Sequence, residues 1–128
     1  MIAGLGIDIV HVDRIRRWLL LPGLVERYFH PVEIEAARSR GTGQALSLAA
    51  RFAAKEAFGK AMGTGLKSMR LKDIIVQNDE AGKPEIRLEA QALSLFLGAG
   101  GGRMHCSLTH EGENAVAIVI IEREGSPR

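Results

Sequence analysis

A single cysteine excludes an internal disulfide, so Cys106 points to a reducing compartment rather than a stapled, secreted fold. No Cys/His spacing suits zinc. Long hydrophobic runs are missing too, and the longest, Ala115 to Ile121, falls far short of a membrane span. The opening MIAGLGIDIV has no basic leader and carries Asp8, so it is read as part of the fold and not as a signal peptide. A soluble, cytoplasmic protein is the expectation. Aromatics make up only 5%, and Trp18 and Tyr28 alone offer large polar-edged rings. Neither charge sign prevails: 17 Lys+Arg against 15 Asp+Glu leave +2, which favours acidic partners weakly. Repeats, low-complexity tracts and internal linkers are absent, and 128 residues suffice for a core, so one domain spanning 1–128 is expected.

Two glycine motifs lead nowhere. Gly4-Leu5-Gly6 lies inside a strand and lacks the third glycine of a dinucleotide loop. Gly98 to Gly102 lacks the Lys-Ser/Thr ending of a phosphate loop.

The elements read in order. Ile2 to Val10 alternates as a strand. Asp13 is expected to cap a short helix, Arg14 to Leu20, which Pro22-Gly23 ends. Leu24 to Phe29 gives a further helical turn, and Pro31 opens a helix reaching Arg38. A long helix runs from about Ala45 to Met62 and stops at Gly63-Thr64-Gly65. Ile74 to Gln77 and Pro84 to Leu88 form a hairpin, and Glu89 to Leu97 a helix. Gly98 to Gly102 is expected to be a flexible loop before two final strands, Arg103 to Leu108 and Asn114 to Glu122. Gly125 to Arg128 is expected to fray. This order indicates α+β with a mostly antiparallel sheet.

Chemistry concentrates in Arg51 to Gly65, RFAAKEAFGKAMGTG. Ala49, Ala53, Ala57 and Ala61 keep one side of this helix small, and Glu56 and Lys60 project together beside it. A small-residue face lets something approach closely, and a carboxylate beside an ammonium suits a metal-bridged phosphate. The glycine N–H groups that follow offer phosphate oxygens an approach free of Cβ atoms. The plain alternative is a surface i,i+4 ion pair worth roughly 0.2–0.5 kcal/mol. Asp8, inside an apolar strand, needs a partner or a cation, or else caps the next turn. Asp8 and Glu56 together make a hard-cation site. His105-Cys106-Ser107-Leu108-Thr109-His110 is a third element, with Ser107 and Thr109 on one strand face.

These residues resemble a known family, the bacterial holo-acyl-carrier-protein synthases, the small type of 4′-phosphopantetheinyl transferase. The resemblance rests on Gly6-Ile7-Asp8-Ile9-Val10 followed by Arg14, on the Arg51 to Gly65 helix, and on His105 to His110 with its apolar strand. It spans nearly the whole chain. Departures are His30 in a segment that often reads Phe-Thr-x-x-Glu, Cys106 for an aliphatic residue, Asn114 for an aromatic, and a short segment from Arg38 to Gly43.

The resemblance implies a 4′-phosphopantetheinyl transferase fold, a mostly antiparallel sheet packed against a long central helix. It implies Mg²⁺-dependent transfer of 4′-phosphopantetheine from coenzyme A to a serine of an apo acyl carrier protein, for fatty-acid biosynthesis. Asp8 and Glu56 match Mg²⁺ ligands, and Lys60 the lysine on the transferred phosphate. Arg51, Gly63, Pro84 and His105 match positions lining the coenzyme A site. Arg14, Arg17 and Arg27 fall where the acidic carrier protein meets the enzyme. Family members are homotrimers with sites at subunit interfaces. The acceptor of the serine proton stays open, between Glu56 through a water and a hydroxide on the metal. Two other readings compete: a nucleic-acid module using Arg14, Arg16, Arg17, Arg38 and Arg40, and a structural subunit that has lost activity.

Overall fold

The computed structural model describes residues 1–125. Five strands and five helices follow in the order β1 (Ile2–His11), α1 (Val12–Leu19), α2 (Leu24–Tyr28), α3 (Pro31–Arg38), α4 (Gln44–Met62), β2 (Ile74–Asn78), β3 (Pro84–Leu88), α5 (Ala90–Gly98), β4 (Gly101–Glu111) and β5 (Asn114–Arg123). Every strand pair is antiparallel. The expected α+β architecture is therefore present, but the strands divide into two sheets. β1, β5 and β4 form one in that order, and the β2–β3 hairpin stands as a second. α4 lies across the inner face of the larger sheet and is buried along most of its length.

The alanine face of α4 is occupied by strand β1 and not by a ligand. Ala49, Ala53, Ala57 and Ala61 are buried, and β1 meets them with Gly4 and Gly6. A Cβ added at Gly6 would stand 1.9 Å from the Ala57 carbonyl oxygen, and one at Gly4 1.9 Å from that of Ala61. Backbone thus packs directly on backbone, which only glycine permits. The Gly-Leu-Gly sequence is the strand's half of this contact.

Alternation sends Gly4, Gly6, Asp8 and Val10 toward α4 and leaves Leu5, Ile7 and Ile9 on the outer face, 60%, 58% and 62% exposed. They lie in register with Ile120, Ile118 and Val116 of β5. The outer row of β4, Arg103, His105, Ser107 and Thr109, completes that face. Its inner row, Met104, Cys106 and Leu108, packs against the core.

Local expectations were altered at two places. α1 begins at Val12, and its cap is His11, whose Nδ1 accepts from the Asp13 N–H at 3.3 Å. Asp13 instead pairs with Arg16 at 2.6 Å. The glycine run after α5 is largely ordered structure, since α5 reaches Gly98 and β4 starts at Gly101. Gly101 is buried edge-on to Phe96, where a Cβ would come within 2.5 Å of the ring. Of the frayed C-terminus, positions 126–128 lie outside the described residues.

Sequence reasoning missed a buried ion pair. Lys55 Nζ donates to Glu33 Oε1 at 2.7 Å, to the Leu71 carbonyl at 2.8 Å and to that of Ile74. Glu33 also accepts from the His30 and Val76 N–H groups, and neither side chain of the pair is exposed. His30 completes a capping box at α3, with Nδ1 accepting from Val32 N–H at 3.1 Å. That box is how histidine serves as the cap here.

Candidate active site

Phe52, Glu56 and Lys60 form one stripe along α4, spaced four residues apart. The glycine contact brings β1 so near that Asp8 reaches this stripe from mid-strand. Lys60 Nζ donates to Asp8 Oδ1 at 2.9 Å and to the Ile7 carbonyl at 3.0 Å. Among the described residues Lys60 therefore pairs with Asp8 across elements, and the surface pair with Glu56 does not form. Nor does Asp8 cap a turn. Its side chain is only 17% exposed, while that of Lys60 is 54% exposed.

Glu56 stands half-buried between Phe52 and Lys60. Burial chiefly, then the Asp8 charge, pushes its carboxyl above the ordinary value, with Arg14 and Lys60 pulling the other way. Arg14 is held in place by stacking, its guanidinium 5.3 Å from the Trp18 ring and 5.1 Å from that of Phe52.

The donor set fits a hard divalent cation. The Asp8 charge raises the cost of ionising Glu56, and a cation held by the two carboxylates relieves it. Among the described residues no group of three His, Cys, Asp or Glu converges. Two protein ligands leave the remaining positions to water and phosphate oxygens, the pattern Mg²⁺ favours.

The predicted coenzyme A residues are not gathered with this stripe. By helix geometry Arg51 stands about 180° from Lys60 and about 140° from Glu56 around α4. Arg51 is 5% exposed and borders a cavity of about 490 Å³ with Arg40, Ser47, Asn78, Thr109 and His110. One guanidinium nitrogen donates to Ser47 Oγ at 3.0 Å, while the buried Nε has no partner. Burial pulls its pKa down, and the nearby Glu33 charge opposes that. Such an arginine calls for an anion. Pro84 pairs in register with Asn78 at the rim of this cavity.

His105 lies elsewhere, on the outer face, with Nε2 2.6 Å from Glu122 Oε2. Gly63 ends α4 in the left-handed conformation at φ 82°. Its N–H donates to the Lys60 carbonyl and that of Gly65 to the Gly59 carbonyl, each at 3.0 Å. Those two N–H groups close the helix and are not free for phosphate, so the expected glycine cradle is corrected here. Arginines do not form a continuous stripe for nucleic acid either. Arg16 is paired with Asp13 and Glu113, and Arg38 with Glu35. Among the described residues no helix is long and apolar enough to cross a membrane.

The model of the 4′-phosphopantetheinyl transferase superfamily matches residues 4–119. The chain belongs to that superfamily. Within it, a holo-[acyl-carrier-protein] synthase of Treponema denticola is 54% identical over 122 residues, covering 95% of this chain and 99% of the relative. The fold superposes on a synthase of that name from Neisseria meningitidis with a TM-score of 0.86 at 35% identity, covering 96% of this chain and all of the other. It also matches a Bacillus anthracis synthase, described in complex with CoA (3′,5′-ADP), with a TM-score of 0.80 at 37% identity over 96% and 98% of the two chains.

Proposed function

We propose that this chain is a holo-[acyl-carrier-protein] synthase, which moves 4′-phosphopantetheine from coenzyme A to a serine of an apo acyl carrier protein and releases 3′,5′-ADP. The observation that carries this reading is the Asp8–Lys60 contact beside Glu56 in a member of this superfamily.

Asp8 and Glu56 would hold Mg²⁺, which supplies charge neutralisation at the coenzyme A diphosphate when bound. Lys60, half-exposed at the mouth of the site, places a positive charge on the β-phosphate under attack. The serine oxygen bonds to that phosphorus as the bond to the departing 3′,5′-ADP breaks. Glu56, through a water, takes the serine proton. Positioning and electrostatics supply the acceleration, because each group sits on a rigid strand or helix.

The nucleotide end is assigned to the Arg51 cavity, with Pro84 paired to Asn78 at its rim; His105 and Gly63 do not line that cavity and would meet coenzyme A outside it. Since Arg51 and Lys60 face opposite sides of α4, a neighbouring copy would bring its Arg51 to this chain's Lys60. The apolar outer face of Leu5, Ile7 and Ile9 is the surface such copies would cover, as a homotrimer. Arg14, Arg17 and Arg27, all exposed, are assigned to the carrier protein. The modified carrier would serve fatty-acid synthesis in the cytoplasm.

Intact-mass spectrometry tests the reading. An apo acyl carrier protein incubated with this protein, coenzyme A and Mg²⁺ gains one phosphopantetheine group, and EDTA abolishes the gain. No gain with several carrier proteins, despite a folded enzyme, overturns it.

A further inference from the structure

Lys55 is fully buried and stands apart from the groups assigned to transfer. A buried ion pair is weak evidence for stability, since apolar side chains of similar volume often serve as well. The Lys55–Glu33 pair therefore calls for another role, and its partners name one.

Two of the three hydrogen bonds from Lys55 go to backbone. Nζ donates to the Leu71 carbonyl at 2.8 Å and to that of Ile74, besides Glu33. Glu33, on α3, reaches the same stretch of chain, because its other carboxylate oxygen accepts from the Val76 N–H at 3.0 Å. The pair is thus a clamp on residues 71–76, where the chain enters β2.

That stretch links the two parts of the site. Arg51, Lys55 and Gly59, spaced four residues apart, form a buried stripe on α4. Residues 65–78 return along it. At the start the Gly65 N–H donates to the Gly59 carbonyl at 3.0 Å, and a Cβ at Gly59 would stand 2.8 Å from the Gly65 carbonyl carbon. In the middle Lys55 holds its two carbonyls. At the end Asn78 borders the Arg51 cavity. The start also follows closely on Lys60, whose carbonyl accepts from the Gly63 N–H.

The β2–β3 hairpin is a sheet of two strands, which is marginal by itself. Ile74, Ile75 and Val76 are buried, but apolar packing is non-directional and leaves their register along α4 loosely set. The three hydrogen bonds from Lys55 and to Glu33 fix it.

We infer that Lys55, with Glu33, is a positioning residue for coenzyme A. It fixes residues 65–78 along α4 and so sets the Arg51 cavity and the Lys60 end of α4 without touching the substrate. This rests on the reading proposed above. Where Arg51 serves a neighbour's Lys60, the clamp keeps the two half-sites of one copy in register.

The test is Lys55→Met/Glu33→Leu, in which apolar packing replaces the pair and the clamp is lost. Urea unfolding should show stability recovered relative to Lys55→Met. Amide exchange across residues 65–78 should nevertheless speed up, and KM for coenzyme A should rise about tenfold or more. KM for an apo acyl carrier protein stays at the wild-type value. Gly59→Ala keeps the ion pair but presses on Gly65, and should raise the same coenzyme A KM several-fold. A pair that only stabilises the fold would leave that KM unchanged once stability is recovered. A wild-type coenzyme A KM in the stable double variant overturns the inference, and so do equal rises for coenzyme A and the carrier. If the double variant does not fold, Gly59→Ala decides alone, and an unchanged coenzyme A KM in it overturns the inference. Failure of the wild-type protein to modify any carrier refutes the proposed function itself, and this inference with it.

Discussion

Replacing Gly6 with alanine tests the strand–helix contact on which the site depends. The new Cβ would fall 1.9 Å from the Ala57 carbonyl oxygen, 2.8 Å from the Ala61 nitrogen and 2.9 Å from the Ala57 carbonyl carbon. All three obstacles are backbone of a buried helix, so no side chain can swing aside. Reaching ordinary contact requires β1 to withdraw from α4 by about 1.5 Å. Overpacking of this kind costs about 1–3 kcal/mol, a fall in Tm of roughly 5–15 °C for a chain of this length. Asp8 lies two residues along on the same face, so it withdraws too, and the 2.9 Å bond to Lys60 opens. A misplacement near 1 Å at a reacting site costs on the order of 100-fold in rate. Transfer should therefore fall about 100-fold in a protein that still melts cooperatively, read by circular dichroism and carrier mass spectrometry. Gly98→Ala is the control, because a Cβ there meets nothing within 4 Å and φ is ordinary. Gly6→Ala with an unshifted Tm and transfer within threefold of wild type would refute the argument that glycine places Asp8.

Asp8→Ala or Glu56→Ala should lose Mg²⁺-dependent transfer while the fold survives, since Glu56 is half-buried and Asp8 partly open; full activity in either variant would sink the metal assignment. Lys55→Met strips the buried Glu33 of its cation and should cost about 3–5 kcal/mol in urea unfolding. Adding Glu33→Leu should restore much of that loss, and a double variant as unstable as the single one contradicts the pairing. Burial pushes the Cys106 thiol up to about 11, so at pH 8 about one molecule in a thousand carries the thiolate. An aromatic disulfide reagent should thus react slowly with native protein at pH 8 and quickly in urea, with the native rate climbing as pH rises toward 11. Equal rates in both would show that the thiol is not shielded.

Element order was legible because periodicity and punctuation carry it. The alanine-rich spacing and the Gly63 stop located α4 within a residue or so of Gln44–Met62. Capping was less legible. Asp13 has the commoner chemistry for a cap, yet His11 and His30 take that role through Nδ1. The split into two sheets was hidden because hairpin patterning fixes a strand's partner and not its sheet. Glycines misled twice: Gly98 to Gly102 looked loose, but Gly101 is there to let Phe96 in, and Gly63 and Gly65 looked open to phosphate, but their N–H groups close the helix. Glu56 and Lys60 were visible as a stripe, whereas the partner of Lys60 was not. Asp8 is 52 residues away, and the contact exists only through the approach of β1 to α4. Lys55 and Glu33, 22 residues apart, were invisible for the same reason, although the Glu three residues after His30 carried a capping-box hint.

Functional side chains commonly sit on loops, which a scaffold then has to hold still. Here Asp8, Glu56 and Lys60, the groups proposed to act in transfer, stand within a strand and a helix, and the small residues explain how that is possible. A strand bearing ordinary side chains would lie farther from α4, and Asp8 could not reach Lys60. With Gly4 and Gly6 opposite Ala61 and Ala57, the two backbones touch, and Asp8 emerges where the alanine face meets the Glu56–Lys60 stripe. The same alternation turns Ile7 and Ile9 outward, so the strand that supplies the carboxylate also supplies the exposed apolar face. Burying those isoleucines under another copy would stiffen β1 from the opposite side. On the proposed reading, the position of the carboxylate and the association of copies would both depend on one ten-residue strand, and the Gly-x-Gly-x-Asp alternation would serve both.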